Sequence, residues 1–419
     1  MVAADGERQS TPRSGAPTQV CIVGAGPAGL VVAQCLQQAG VACVVIEQLS
    51  LDQLCLKTKA GMIEHQTVQA LAAVDLAAPI LEHGGRNGVL EFRVDGKPLV
   101  FDYAALTGGQ GHYVFPQQLL VHSWLSNFGA HAGGVAAACE AVAIRVEPGG
   151  ADVARPGGAT VVLREADGRL VSIGCQAVVL ASGAGTRLVP EGIQSLEHTY
   201  PFRWLTAMIT TPPLSERTIY ASHARGFAAH LRRSANATRY YLQISEQQTL
   251  RDWDDERLRA ELALRLGLAD DEPLRGQVRE RDIMDLRVRV REPLQRGCVY
   301  LAGDAAHLIT PAGGKGMNLA IQDGLELAAG LIERLVHDRP ERLARYSDTR
   351  LPRIWEAQEF SNWMLALHCG GVMNLHRAEP DVEDGYAQRL HRAQIERLFT
   401  DAGFARWFAH RYAGVEERA

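Results

Sequence analysis

The chain has 419 residues, too many for one small core, so about two domains are expected. Hydrophobic content of 47% and charged content of 22% are those of a globular protein in water. A net charge of -5 with no basic run argues against a nucleic-acid partner, and no apolar run reaches the roughly 18 to 20 residues of a membrane span.

Met1 to Pro17 is polar, with Gly, Ser, Pro and mixed charge, and reads as a disordered extension without the apolar core of a secretion signal. Gln19 to Val23 is a short apolar run that suits a buried strand. Gly24-Ala25-Gly26-Pro27-Ala28-Gly29 follows and fits G-x-G-x-x-G. Leu30 to Ala39 reads as a helix, and Ala42 to Ile46 as a second strand ending in Glu47. Gly24, Gly26 and Gly29 then serve a tight turn, close approach of backbone to a pyrophosphate, and close helix-on-strand packing. The helix start at Ala28 offers free N–H groups and a positive dipole end to phosphates. Glu47 falls about 20 residues on, where a carboxylate accepts ribose hydroxyls.

Leu51 to Lys59 reads as a loop and Ala60 to Leu81 as helix. Val89 to Tyr103 alternates around Asp95-Gly96, a hairpin signal. Gln117 to Phe128 reads as helix, Ala141 to Gln176 as strands joined by glycine-rich turns, and Ala177 to Ala181 as a second buried strand. Short alternating strands fill Tyr200 to Ile244 and predict an antiparallel sheet with one covered face. Trp253 to Leu266 is expected to be helical, Gly297 to Leu301 a strand, and Gly316 to Val336 a long helix. Glu341 to Ala366 reads as helix interrupted near Pro352, and Gln388 to Arg411 as a helical tail. The eight cysteines include no C-x-x-C and sit in apolar patterns, which predicts buried free thiols in a cytoplasmic protein and no metal site.

The expected fold is therefore α/β. A Rossmann-like nucleotide domain (18–85, 104–187 and 297–345) is interrupted by an antiparallel-sheet substrate domain (86–103 and 188–296). A helical region, 346–419, closes the chain. A ligand is expected at the junction.

A second signature follows the strand at Gly297 to Leu301. Gly303-Asp304 ends it, and Thr310 to Ala320 opens a helix through a glycine-rich turn. Asp304 can accept a hydrogen bond from a ribitol hydroxyl, and the helix start favours an anionic ring. His307 reads as structural. The two signatures together resemble the FAD-dependent aromatic hydroxylases of the 4-hydroxybenzoate hydroxylase type. Tyr200-Pro201-Phe202, Ile219-Tyr220-Ala221, Arg239-Tyr240-Tyr241 and Arg353-Ile354-Trp355 extend the resemblance across residues 18 to 370. It implies an enzyme in which NADH or NADPH reduces FAD. The reduced flavin takes up O2 as a hydroperoxide, and one oxygen passes to an electron-rich ring. It further implies FAD contacts at Gly24, Gly26, Ala28, Gly29, Glu47, Lys59, Gln117, Asp304, Gly314, Gly316, Met317 and Asn318. Tyr220 and Pro311 are the implied catalytic residues. Arg233, Leu231, Tyr241 and Tyr220 are the implied substrate contacts, and the assembly is a homodimer.

Four positions depart from the family pattern. Ser182-Gly183 stands where Asp-Gly is usual, at a place that arranges flavin and nicotinamide contacts. Leu231 replaces a serine that bonds the substrate carboxylate, beside Arg233 at the carboxylate-binding position. Tyr220 matches the tyrosine at the substrate phenol, but Ile395 to Phe399 holds no second relay tyrosine. Gln48 and Leu49 replace polar groups tied to NADPH choice. A phenol needs deprotonation to react, whereas an indole or aniline does not. These departures predict an indole- or aniline-type ring, carboxylated or not, as substrate. The alternatives are 3-hydroxylation of 4-hydroxybenzoate, a flavin oxidoreductase without oxygen insertion, and a nucleotide-binding regulator.

Overall fold

The computed structural model describes residues 18–56, 61–129, 134–147, 158–269, 274–371, 375–378 and 385–415. The proposed extension at 1–17 lies outside them, as does Lys59. The first signature folds as read. Strand Val20–Val23 runs into helix Pro27–Gln38 and back out through strand Cys43–Ile46. These strands lie side by side and parallel at the centre of a six-stranded sheet, with Val20 opposite both Cys43 and Ala177. All four residues of Val20–Val23 and of Ala177–Leu180 are buried, as a parallel strand covered on both faces requires. Strand Val299–Leu301 joins the same sheet beside Ala177–Leu180 and so returns the chain to the nucleotide domain. Helix Gly316–His337 packs against helix Pro27–Gln38; a Cβ on Gly324 would meet the Ala28 carbonyl at 2.7 Å.

The second large unit is an eight-stranded sheet. It contains Gln194–Thr210, Thr218–His223, Gly226–Ser234, Ala237–Ser245 and Gln277–Glu292, with the hairpin Val89–Val94 and Lys97–Asp102 at one edge. Asp95 and Gly96, both at positive φ, make the tight hairpin turn. The sheet is antiparallel except where Thr218–His223 runs parallel to Val89–Val94. Strand Gln277–Glu292 was not foreseen, although Leu286, Val288 and Val290 alternate with arginines.

The pleat separates the two faces of this sheet. Leu205, Ile219, Tyr240 and Leu242 face the helix Asp255–Arg265. Trp204, Tyr220, Phe227 and Tyr241 face the other way, into a core shared with Phe360, Met364, Phe408 and Tyr412. The C-terminal helices Tyr346–His368 and Ala402–Ala413 thus cover the sheet's inner face.

Four local expectations need correction. Leu51 to Lys59 is not all loop: Leu51–Leu56 forms a short helix, with Asp52 in its first turn. Ala60 to Leu81 is not one helix. Strand Met62–Ile63 is followed by short helices His65–Ala72 and Ala78–His83, with Asp75 at φ +59 in the turn between them. Pro352 does not interrupt its helix, which runs unbroken over Tyr346–His368. The lost N–H costs one turn bond, while buried Tyr346, Arg350 and Ile354 hold the flanking turns. The helical tail is two helices, Gly385–Thr400 and Ala402–Ala413, divided at Asp401, whose side chain caps the second at Phe404 N. The eight cysteines are free, six of them buried.

Candidate active site

Two cavities meet between the sheets. The first, about 750 Å3, is lined by Gly24, Gly26, Glu47, Gln117, Ser182 and Asp304 among others. The second, about 360 Å3, reaches the inner face of the eight-stranded sheet. Gly26, Gln117, Ala181, Gly183 and Asp304 line both, so they form one continuous space.

The first cavity is shaped by backbone. Gly24 sits at φ +111, and a Cβ there would lie 2.3 Å from the Ala181 carbonyl oxygen. A Cβ on Gly29 would lie 2.0 Å from the Gly24 carbonyl oxygen, so this glycine serves helix-on-strand packing and does not itself line the cavity. Around Gly26 nothing stands within 4 Å of a Cβ, which leaves the backbone open to a bulky group. No side chain caps helix Pro27–Gln38, so its first amides face the space beside Gly26 and Ala28. Glu47 is fixed by two amides: Ala25 N donates to one carboxylate oxygen at 2.8 Å and Leu49 N to the other at 3.0 Å. The Oγ of Ser182 is buried and unpartnered at the same cleft. This shape and donor set fit an extended dinucleotide such as FAD. Glu47 would hold the ribose end, Gly26 and Ala28 the phosphates, and Gln117 and Asp304 the stretch between cavities.

At the second cavity the glycine-rich turn comes into place. Pro311, Gly314, Gly316 and Met317 all line it, and no side chain caps helix Gly316–His337. Asn318 does not line it. Its Oδ1 accepts from Glu64 N at 2.9 Å and its Nδ2 donates to Gly314 O at 2.9 Å, so it braces the turn from behind. Asp304 is carried on a turn that is itself pinned. Fully buried Asp323 accepts from Gly303 N at 3.0 Å, from the His307 ring at 2.6 Å and from Arg350 at 2.8 Å. His307 is thereby structural.

The sheet supplies the rest of the cavity: Tyr220, Leu231, Arg233 and Tyr241 all line it. The Arg233 guanidinium has no carboxylate partner among the described residues, and its Nε is buried and unpaired. Burial pulls its pKa down, and the neighbouring Tyr241 hydroxyl pulls it back up. A half-buried guanidinium with no carboxylate beside it among the described residues leaves a charge that an anion in the cavity would pair with.

A second tyrosine does stand beside Tyr220, although none was expected. The hydroxyls of Tyr220 and Tyr412 lie 3.1 Å apart in the buried core. Tyr412 reaches the site from helix Ala402–Ala413, one helix beyond Ile395 to Phe399. Burial pushes Tyr220 up to about 12, against the opposing bond from Tyr412. Behind them, His112 lies edge-on to Tyr412 with ring centroids 4.8 Å apart, and its Nδ1 is 3.1 Å from the Tyr103 hydroxyl. Burial lowers His112 to about 3, so it is neutral at ordinary pH. Tyr103, His112 and Tyr412 were not foreseen. The one available signal was Phe404, Phe408 and Tyr412 recurring every fourth residue on one helix face.

A family model described as FAD binding domain matches residues 17–361. The chain belongs to the family of FAD-dependent aromatic hydroxylases. This hydroxylase is 30% identical over 403 residues to p-hydroxybenzoate hydroxylase of Acinetobacter baylyi (strain ATCC 33305 / BD413 / ADP1), covering 95% of each chain. It is 27% identical to a 3-(3-hydroxy-phenyl)propionate/3-hydroxycinnamic acid hydroxylase of Mycobacterium sp. (strain JLS) over 76% of this chain and 54% of that protein. The fold is that of p-nitrophenol 4-monooxygenase from Pseudomonas putida DLL-E4, at TM-score 0.81 and 18% identity, over 96% of this chain and 99% of that one. No helix among the described residues is long and apolar enough to cross a membrane.

Proposed function

We propose that this hydroxylase acts on a carboxylated phenol, 4-hydroxybenzoate or a close analogue. The observation that carries this reading is Tyr220, backed by the buried Tyr412 hydroxyl, in one cavity with an Arg233 guanidinium that has no carboxylate partner among the described residues. A paired tyrosine relay is useful for a ring that must lose a proton before it reacts. The expectation of an indole or aniline drew on the apparent lack of a second tyrosine together with the apolar Leu231; Tyr412 beside Tyr220 removes the first of these supports and favours the phenol.

In this scheme Arg233 and Tyr241 hold the carboxylate, and Leu231 contributes an apolar contact in place of a donor. Tyr220 accepts the substrate hydroxyl proton as it donates its own to Tyr412, and the proton leaves to solvent from this pair; His112, held neutral beside Tyr412, packs against the pair and does not keep the proton. The Pro311 carbonyl lies on the turn that faces the ring. Bound FAD, once reduced, supplies the activated oxygen. The apolar walls exclude water from it. NADH or NADPH is the proposed reductant, the cytoplasm the proposed compartment, and a homodimer the proposed assembly.

The test is substrate-stimulated NAD(P)H oxidation by FAD-loaded protein, with oxygen uptake and product mass recorded for 4-hydroxybenzoate, aminobenzoates and indoles. One oxygen gained on the carboxylated phenols, with stoichiometric oxygen uptake, is expected. Oxygen gained on indoles or anilines alone would return the reading to a ring that needs no deprotonation. Turnover without oxygen gain would favour the oxidoreductase.

A further inference from the structure

The wall of the substrate cavity holds a buried polar side chain that this scheme leaves unused. His368 is the last residue of helix Tyr346–His368 and lines the cavity. Its ring lies flat on Phe227, with centroids 4.5 Å apart and planes at 12°, and its centroid is 4.4 Å from that of Tyr220. Both ring nitrogens are buried without a hydrogen-bond partner. Trp204, whose ring centroid is 6.2 Å away, adds a second orphan, since its Nε1 is also buried and unpaired. Burial lowers the imidazole to about 3, so at neutral pH it carries one donor and one acceptor and no charge. Packing alone is better served by leucine or phenylalanine at this place, because each unpaired buried nitrogen is destabilising.

We infer that His368 is a specificity-determining residue that hydrogen-bonds a second, neutral polar substituent of the substrate, a hydroxyl or amino group on the ring edge beside the group held at Tyr220. This rests on the proposed reading of the cavity as a site for a carboxylated phenol. The carboxylate has its cation in Arg233, so the group that meets a neutral imidazole is itself uncharged. The nitrogens of His368 are sealed, so its contact with the cavity is through carbon. A half-turn about χ2 exchanges Cδ2 and Cε1 for Nδ1 and Nε2 without altering the stack on Phe227. Either tautomer can then meet a hydroxyl or an amino group.

The experiment compares FAD-loaded wild type, His368→Leu and His368→Gln. Ligand affinities are read from the perturbation of flavin absorbance by 4-hydroxybenzoate and by the same acid carrying an extra hydroxyl, amino or methyl group at ring position 2 or 3. Wild type should prefer the hydroxyl or amino ligand over its methyl counterpart by at least about tenfold, the scale of a buried polar group left unpaired. His368→Leu should bring that ratio close to unity while 4-hydroxybenzoate still binds, and His368→Gln should restore part of it. An unchanged ratio in His368→Leu of normal FAD content, or equal binding of the methyl and hydroxyl ligands by wild type, overturns the inference. Should 4-hydroxybenzoate bind and be hydroxylated with either of those results, only the role of His368 fails. Should no carboxylated phenol bind, the reading of the cavity fails with it.

Discussion

The two cavities that meet at Gly26 and Asp304 are built by different means. The nucleotide cleft is a backbone construction, and its principal side chain, Glu47, is itself held by two amides. The substrate cavity is a side-chain construction, with Tyr220, Arg233 and Tyr241 from one sheet face, His368 from a helix opposite, and Tyr412 in the core behind Tyr220. A cleft made of backbone admits no added Cβ at Gly24 or Gly29 but reads only the shared features of a cofactor. A wall made of side chains tolerates exchange, and each exchange alters what the site accepts.

The largest expected effect is therefore on the cleft. Gly29→Val should yield protein without bound FAD, because its Cβ would lie 2.0 Å from the Gly24 carbonyl oxygen; a yellow, FAD-retaining variant would refute the packing argument. Arg233→Met comes next. It should weaken binding of a carboxylated phenol by roughly 30-fold or more, the usual loss when one partner of a buried charge pair is removed, while FAD content stays normal. Tyr220→Phe should lower the hydroxylation rate by about 100-fold or more, as expected for a lost proton acceptor. Single-turnover kinetics separates this from a binding defect. Leu231→Ser should tighten binding of the carboxylate up to about tenfold by adding a hydroxyl donor to a charged acceptor. No change there would place the carboxylate away from Leu231.

The smallest effect concerns acid stability. His112 and His368 are both lowered to about 3 from 6.5, and His230 to about 4. Between those values and 6.5 the unfolded chain binds more protons than the folded one, so stability is full above about pH 6.5 and falls as the pH drops. His368→Leu should flatten the fall of melting temperature with pH in that window. An unaltered slope would mean that the His368 ring is not desolvated as described.

How much of this was legible follows from the same division. Gly24 to Glu47 could be read because strand, turn, helix and acid are consecutive, and local geometry follows from local sequence. Tyr220 and Arg233 could be assigned only through resemblance. Tyr412 was missed because its partner lies 192 residues away and its helix begins after a break at Asp401. His368 carries no motif at all; only the fold brings it against Phe227. The opposite fates of neighbouring Tyr240 and Tyr241 follow from strand pleating, but which face holds the cavity is decided by the helices packed there.

The central claim is that Tyr220 and Tyr412 together ionise a bound phenol. The direct measurement is the pH titration of the ultraviolet difference spectrum of 4-hydroxybenzoate bound to FAD-loaded wild type and Tyr412→Phe. The account predicts that the phenol ionises at lower pH in wild type than in free solution, and that Tyr412→Phe moves it back up by about one unit or more, a tenfold change in the ionisation equilibrium. Bound phenol that titrates as it does in water, with no difference between the two proteins, would contradict it.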